Sequence, residues 1–329
     1  MNKIKYIMLN LLLINIFNNL SSKELKFTNI KDLNYIRLSE EFLLELKDIL
    51  KFDKVIETGT CLGASTAIAA KVVSEVHSIE LSQDLYNKSC QNLQNYTNVK
   101  LYWGDSGKIL IDAILDDKPT LFWLDGHYSG VYSNQDTALG EKNTPIIKEL
   151  QTIKKANLKN AIILIDDIRV FDKRLKDLNN IIIGGYPDFN KISKIIKDIN
   201  PNYQVLLIDD ALLAFPANNH ITISPVLKAC TISRTSTNLE EILEAEKIIS
   251  LSENSERQAI INLYNHFCGD WDYSFKVQGL GDYYALWYTL LLINDKKYSQ
   301  ALNILNDLEN KNFDKERVIH YKIICQENN

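Results

Sequence analysis

An α/β domain built on a mostly parallel sheet, carrying an α-helical C-terminal extension, is the fold class this sequence predicts, and three observations predict it. Short, nearly continuous apolar runs alternate with amphipathic stretches between Lys54 and Phe215, the pattern of parallel strands covered by helices on both faces. The first run, KVIETGTCLGAST, reads as strand, glycine loop and helix start in that order. Beyond Asn238 only helical periodicity continues.

In chain order, Lys3 and Lys5 precede an apolar run from Tyr6 to Phe17 that is broken by Asn10 and Asn15. The basic head and apolar core have the proportions of a signal peptide, but the cleavage region is poor and the run is short for a bilayer span. Residues 1–22 therefore read equally as a signal peptide or anchor and as a plain N-terminal helix, and they are set apart from the fold. Ser39 caps a predicted helix through Leu50, whose Phe42, Leu43, Leu46, Ile49 and Leu50 share one apolar face. Val55 and Ile56 make the first strand of the domain, and Ala64 to Val73 the helix after its loop. The strand Val76–Ile79 ends in Glu80, a helix follows Ser82, and the strand Val99–Trp103 ends in Gly104-Asp105-Ser106. Then come a helix Lys108–Leu115, a strand Thr120–Leu124, a helix Pro145–Ala156, a strand Ala161–Ile165 and a helix near Asn190–Ile199. Two apolar runs, Gln204–Ile208 and Ala211–Phe215, are joined tightly enough to close the sheet edge as a hairpin.

From Asn218 to Asn238 the chain turns polar and turn-rich, which places the domain boundary there: 23–220 for the α/β domain and 221–329 for the helical region. The helices expected beyond it are Leu239–Leu251, Glu256–Phe267, Tyr283–Ile293, Ser299–Leu308 and Lys315–Ile324. The third and fourth are reminiscent of a tetratricopeptide-type hairpin. A helical cap packed on the first domain is favoured over a partner-binding or dimerising module.

With 46% hydrophobic and 24% charged residues the chain is not of the disordered class. A net charge of −5 argues against a broad electrostatic hold on nucleic acid. Cys61, Cys90, Cys230, Cys268 and Cys325 show no CxxC spacing and read as reduced thiols. Cys61, inside the glycine loop, reads as a small packing residue, because no base lies near it in sequence.

The glycine loop carries the first chemical statement. Gly59 and Gly63 let backbone approach a ligand at the carboxyl edge of the sheet, where the next helix presents free N–H groups. Gly-x-x-x-Gly is neither the dinucleotide fingerprint nor a P-loop, which disfavours pyrophosphate and triphosphate ligands and a nicotinamide-dependent oxidoreductase. Glu80 stands where a carboxylate takes both hydroxyls of a ribose, and Asp105 where it accepts from the amino group of a base. Together ETGTxxG, IEL and GDS resemble the first three motifs of the class I S-adenosylmethionine-dependent methyltransferases, over about residues 54–216. The resemblance implies a Rossmann-like class I methyltransferase fold, with a seven-stranded, mostly parallel sheet, and S-adenosylmethionine as cofactor. It implies cofactor contacts from Glu57, Gly59, Thr60, Gly63, Ser65, Glu80, Asp105 and Ser106, with Glu57 at the methionine end.

The rim beyond the donor pocket is acidic. LFWLDGHYSG puts Asp125, His127 and Tyr128 at the end of the fourth strand, and AIILIDDIRVF puts Asp166 and Asp167 at the end of the fifth. In a sheet of the family's order these strands are neighbours about 5 Å apart. Three converging carboxylates are costly without a cation or buried protons, and an all-oxygen set suits Mg²⁺. The Asp-Gly-x-Tyr turn and Ile-Asp-Asp resemble the metal-dependent O-methyltransferases of the macrocin and aminocoumarin-sugar type. By that resemblance Asp125, Asp166 and Asp167 are the metal ligands, and His127 stands where those enzymes carry an acidic general base. Histidine there is a departure: either the imidazole takes the acceptor's proton, or metal use has changed. Asp125 can instead contact the methionine part of the cofactor, and one of Asp166 and Asp167 can simply cap the following loop.

HYSG, TALGEKNTPIIKEL, IDDIRVF and YPDF also resemble a broad group of bacterial class I methyltransferase-like proteins. The polar stretch between Gly130 and Pro145 is expected as a lid at the catalytic rim, with Arg169, Phe171 and Tyr186 over the same opening. The expected function is S-adenosylmethionine-dependent O-methylation of a small hydroxylated acceptor, such as a sugar or sugar-bearing metabolite, with Asp125 and His127 catalytic and Mg²⁺ assisting. The alternative is a non-catalytic methyltransferase-fold scaffold acting through its helical region. A small-molecule partner, no nucleic acid, and an oligomer through the C-terminal helices accompany this reading. The cytoplasm, where the methyl donor is made, is the favoured location, and the N-terminal stretch leaves an anchored or exported form open.

Overall fold

In chain order the strands are β1 (Lys23–Leu25), β2 (Lys54–Thr58), β3 (Glu75–Glu80), β4 (Val99–Trp103), β5 (Thr120–Leu124), β6 (Ala161–Ile165), β7 (Tyr203–Ile208), β8 (Ala211–Pro216) and β9 (Ile221–Ile223). The computed structural model describes residues 23–25, 38–128, 137–158, 160–172, 186–208, 210–217, 221–268 and 278–329. β2 to β8 form a seven-stranded sheet of order β4-β3-β2-β5-β6-β8-β7. Pairing is parallel from β4 to β6, and β8 runs antiparallel to both neighbours, β6 and β7. This is the Rossmann-like class I methyltransferase fold, with the expected closing hairpin.

Helices α1 (Glu40–Leu50), α2 (Ala64–Val72), α3 (Gln83–Asn92), α4 (Ser106–Ala113), α5 (Ile146–Ala156) and α6 (Phe189–Ile199) cover the sheet. Ser39 caps α1 by accepting from the Phe42 amide at 3.2 Å, as its place before the apolar face predicts. α4 begins at Ser106, two residues before its expected start, because the Asp105 side chain accepts from the Gly107 amide and caps it. Successive strand residues point to opposite faces, so Val55, Val76, Leu121, Leu164 and Leu213 enter one core. Ile56, Ile79, Phe122, Ile163 and Leu212 enter the other, against Leu110, Leu150 and Ile192.

The first core does not stop at the sheet. It runs on through α7 (Pro225–Thr235), α8 (Leu239–Ser250), α9 (Asn254–Cys268), α10 (Gln278–Asn294), α11 (Tyr298–Asn310) and α12 (Lys315–Asn328), where Leu227, Trp287, Leu305 and Val318 join the same cluster. α7 corrects the expectation of a turn-rich linker. Ser224 caps it by accepting from Leu227, Pro225 opens its first turn, and Leu227, Ala229 and Cys230 are buried. Its Thr231 hydroxyl accepts from the Leu207 amide of β7 at 3.0 Å. β1, which precedes the seven-stranded sheet, pairs in parallel with β9, which follows it. Inside the helical region Arg317 and Glu246 form an ion pair of 2.5 Å with neither side chain exposed. The Ser233 hydroxyl accepts from Arg317 and donates to Glu246, and Tyr321 donates to Glu246, as buried charges require.

Among the described residues no helix is long and apolar enough to cross a membrane. Residues 1–22, read above as leader, anchor or helix, lie outside the described residues. None of the five cysteines is in a disulfide.

Candidate functional site

Strand register builds the site. Thr58 of β2, Leu124 of β5 and Ile165 of β6 stand level with one another. Gly59, Asp125 and Asp166 therefore leave the sheet side by side. The amides of Asp125 and Asp166 still donate to Thr58 and Leu124 carbonyls, each at 3.1 Å. On the other flank Glu80 ends β3, and the Gly104 amide donates to its carbonyl at 2.8 Å, setting Asp105 beside it. Over this row opens a cavity of about 560 Å³.

Its first half combines two acids with a backbone cradle. The Glu80 carboxylate accepts from the Cys61 amide at 2.7 Å and from the Ser82 amide at 2.8 Å. Each of its oxygens is thus fixed by one bond and keeps capacity for a second. Burial raises the Glu80 pKa, and these amides oppose the rise. Asp105 accepts from Gly107 at 2.9 Å through one oxygen. Ile79, Leu81 and Leu85 give the same half an apolar wall. Gly59 stands at φ +87°, where a Cβ would collide with the Asp125 carbonyl. Gly63, at φ +84°, starts α2 without a side-chain cap. Gly59, Thr60, Ser65, Glu80, Asp105 and Ser106 all line the cavity.

Gly63 and Glu57 are placed otherwise. Gly63 is the hinge between loop and helix. The Glu57 carboxylate lies beneath the loop, accepting from the Thr66 and Ser78 hydroxyls, each at 2.5 Å. Expected at the methionine end of the cofactor, Glu57 braces the loop from below. Burial foremost pushes its pKa up to about 7, against the pull of Ser65, Ser78 and Thr66.

The second half is the rim of Asp125, His127 and Tyr128, with Tyr186 and Pro187 opposite. His127 bridges two acids, its Nδ1 3.2 Å from Asp125 and its Nε2 2.8 Å from Asp167. Burial alone would lower the His127 pKa, but Asp167 and Asp125 outweigh it and hold the ring well above its ordinary value. Burial would likewise raise Asp167, but Arg169 and His127 win and keep it well below the usual carboxylate range. Arg169 pairs with both Asp167 and Asp210. Burial raises Asp125 despite its bond to His127. Burial and the neighbouring aspartates raise Asp166 further.

Asp125 and Asp167 already face His127, and Asp167 also faces Arg169. Among the described residues no group of three or more His, Cys, Asp or Glu side chains is arranged to hold a metal ion. Asp125, Asp166 and Asp167 are the residues expected to hold Mg²⁺. The three acids do converge, but the nearest cationic partners are side chains, and the donors as arranged do not fit a hard divalent ion.

Of the expected lid, residues 129–136 lie outside the described residues, whereas Gly140 to Pro145 line the cavity. This strap is held by the Tyr128 amide donating to the Asn143 carbonyl at 2.7 Å. Glu141 also pairs with Lys108 at 2.7 Å and Lys148 at 2.6 Å.

Glu149 of α5 escaped the sequence reading. It is 1% exposed, accepts from the Ser106 hydroxyl at 2.6 Å, and is pushed up to about 7, chiefly by burial. Its one signal is a glutamate on the helix that follows the rim strand, which periodicity alone cannot tell from a solvated charge.

Residues 37–109 match the family model for protein-L-isoaspartate(D-aspartate) O-methyltransferase. The stretch runs from before α1 into α4, covering the glycine loop, Glu80 and Asp105. No curated protein sequence matches the chain. Among solved structures, the chain is similar to the S-adenosylhomocysteine-bound methyltransferase PaMTH1 of Podospora anserina, at 15% identity over 55% of this chain and 78% of that one, TM-score 0.37. An O-methyltransferase of Bacillus cereus in complex with S-adenosylhomocysteine shares 15% identity over 63% and 89%, TM-score 0.36. The O-methyltransferase TomG of Streptomyces achromogenes, involved in tomaymycin synthesis and solved with S-adenosylmethionine, shares 11% over 61% and 95%, TM-score 0.37.

Proposed function

We propose that this protein transfers the methyl group of S-adenosylmethionine to an oxygen of a small hydroxylated acceptor, such as a sugar or sugar-bearing metabolite. The observation that carries the reading is the placement of Glu80 and Asp105 on neighbouring strand ends, with the glycine loop beside them, over one cavity of about 560 Å³. A nucleoside-sized ligand suits such a volume. Glu80, oriented by two backbone amides, takes the ribose hydroxyls. Asp105 accepts from the base amino group, and Ile79, Leu81 and Leu85 contact the base faces. The loop from Gly59 brings the rest of the donor towards Asp125.

The donor supplies a methyl group on a sulfonium, which leaves as a neutral thioether. The chain's part is to align the acceptor oxygen opposite that leaving group and to remove its proton. A new carbon–oxygen bond forms, the carbon–sulfur bond breaks, and the acceptor proton goes to the rim. His127 receives it at Nδ1, whose 3.2 Å contact with Asp125 yields to the acceptor hydroxyl once the ring is neutral, while the Nε2 proton stays hydrogen-bonded to Asp167. Asp167 thus holds the ring from the far side, and Arg169 keeps Asp167 ionised. No step is routed through Mg²⁺.

Titration calorimetry with S-adenosylmethionine, S-adenosylhomocysteine and NAD tests the donor assignment. Binding of the first two and not of NAD is expected, and no heat from either sulfur compound would overturn it.

A further inference from the structure

The turn that carries Arg169, Ile168–Phe171, is a single 3-10 turn entered from Asp167 at φ +53°. A turn this short, entered through a left-handed residue, holds its place only through outside partners. One anchor is the β7–β8 hairpin: the Ile168 amide donates to the Asp210 carbonyl at 2.7 Å and the Arg169 amide to the Asp210 carboxylate at 3.0 Å. A further anchor among the described residues comes from the helical region. Tyr283 of α10 donates its hydroxyl to the Asp172 carboxylate at 3.1 Å, across 111 positions of sequence.

Tyr283 is held where four helices meet. Its side chain is fully buried, with Phe313 edge-on at 5.1 Å. The guanidinium groups of Arg317 (α12) and Arg234 (α7) lie 5.6 and 5.5 Å from the ring centre. Arg317 is locked in turn by Glu246 of α8 and by the Ser233 carbonyl of α7. On the far side, Asp172 follows Phe171, whose ring stands 5.4 Å from that of Tyr186. Tyr186 lines the cavity with its ring 6.5 Å from His127. From the same turn Arg169 reaches Asp167, which bonds His127. Both routes out of the turn end at His127.

We propose that Tyr283 is a positioning residue: through Asp172 it fixes the 168–171 turn, so that the helical region completes the acceptor rim rather than only covering the sheet. The proposal rests on the functional reading only in taking that rim as the acceptor side. Asp172 is reached from α10 and Asp210 from the hairpin, so loss of either contact loosens that end of the turn. The donor half, built on β2, β3 and β4, has no share in this contact.

The test uses the full chain with Tyr283→Phe, Asp172→Ala and Asp172→Asn, followed by amide hydrogen exchange. Phenylalanine keeps the ring in its packing and removes only the hydroxyl, and asparagine keeps an oxygen that can accept. In Tyr283→Phe and Asp172→Ala, exchange within residues 167–172 is expected to rise roughly tenfold, the loss of about one hydrogen bond's protection. Peptides from α10 and from the glycine loop should be unchanged, and Asp172→Asn should behave like the wild type. S-adenosylhomocysteine affinity by calorimetry should be the same in all four proteins. Unchanged exchange at 167–172, or a rise shared equally by α10 and α12, would overturn the proposal in favour of a merely structural bond. A wild type that binds no S-adenosylhomocysteine would sink the donor assignment while leaving the exchange comparison intact.

Discussion

Glu149→Gln probes whether α5 carries a buried proton behind Ser106. The carboxyl is 1% exposed, receives the Ser106 hydroxyl at 2.6 Å, and is raised from 4.5 to about 7, with burial as the leading cause. In the unfolded chain it titrates at its ordinary value. Between these two values the folded state holds a proton that the unfolded state has released. Its contribution is therefore fully present below about pH 4.5 and falls away as pH rises through about 7. At about 1.4 kcal/mol per pKa unit, the gap corresponds to roughly 3 to 4 kcal/mol at most. Glutamine matches the neutral acid in shape and never ionises, so the variant is expected to lack that loss. Glu57, also raised to about 7, keeps its own slope in both proteins. Urea denaturation from pH 5 to pH 8 reads the result: similar stabilities at the acid end, with the variant gaining by up to roughly 3 to 4 kcal/mol at the alkaline end. Parallel pH profiles would refute the buried proton, and a variant already destabilised at pH 5 would show that ionised Glu149 is what the fold needs.

Other outcomes follow from the same geometry. Glu80→Ala removes the acceptor that two amides orient and should weaken S-adenosylhomocysteine by about tenfold or more in calorimetry; unchanged affinity would place the ribose elsewhere. Mg²⁺ or Mn²⁺ titrated into the wild type should give no stoichiometric heat, because Asp125 and Asp167 already face His127 and Arg169; a site lost in Asp166→Ala would reverse that reading. With its pKa held well above the ordinary value, His127 becomes a neutral base only as pH climbs, so methyl transfer from labelled donor into a metabolite extract should rise above neutral pH. An ascending limb centred at or below 6.5 would exclude His127 as the group responsible.

The donor half was legible in the chain because its signals are local. A strand, two glycines and a helix start declare one another within a dozen residues, and Glu80 and Asp105 follow as the residues that end the next two strands. Asp125 and Asp166 were legible one step further, once their strands were taken as neighbours. What periodicity could not reach was set by contacts between distant segments. α7 hid in a polar stretch because its Thr and Ser hydroxyls find partners only in the fold, as Thr231 does at Leu207 and Ser233 at Glu246. Glu149 looked like any surface charge of an amphipathic helix. Glu57, expected at the ligand, is bound by Thr66 and Ser78 beneath the loop.

By itself, then, the sequence determined the order of strands β2 to β8 and of the helices between them, the glycine loop and the acids that end the strands, since backbone propensity and apolar period act over short separations. The tertiary structure alone decided which acid meets which cation. His127 between Asp125 and Asp167, Arg169 between Asp167 and Asp210, and Tyr283 at Asp172 are pairings across the sheet or between the two regions. Charges and hydroxyls of this kind can be satisfied by many partners in principle, and only the packing of the buried core around them leaves one.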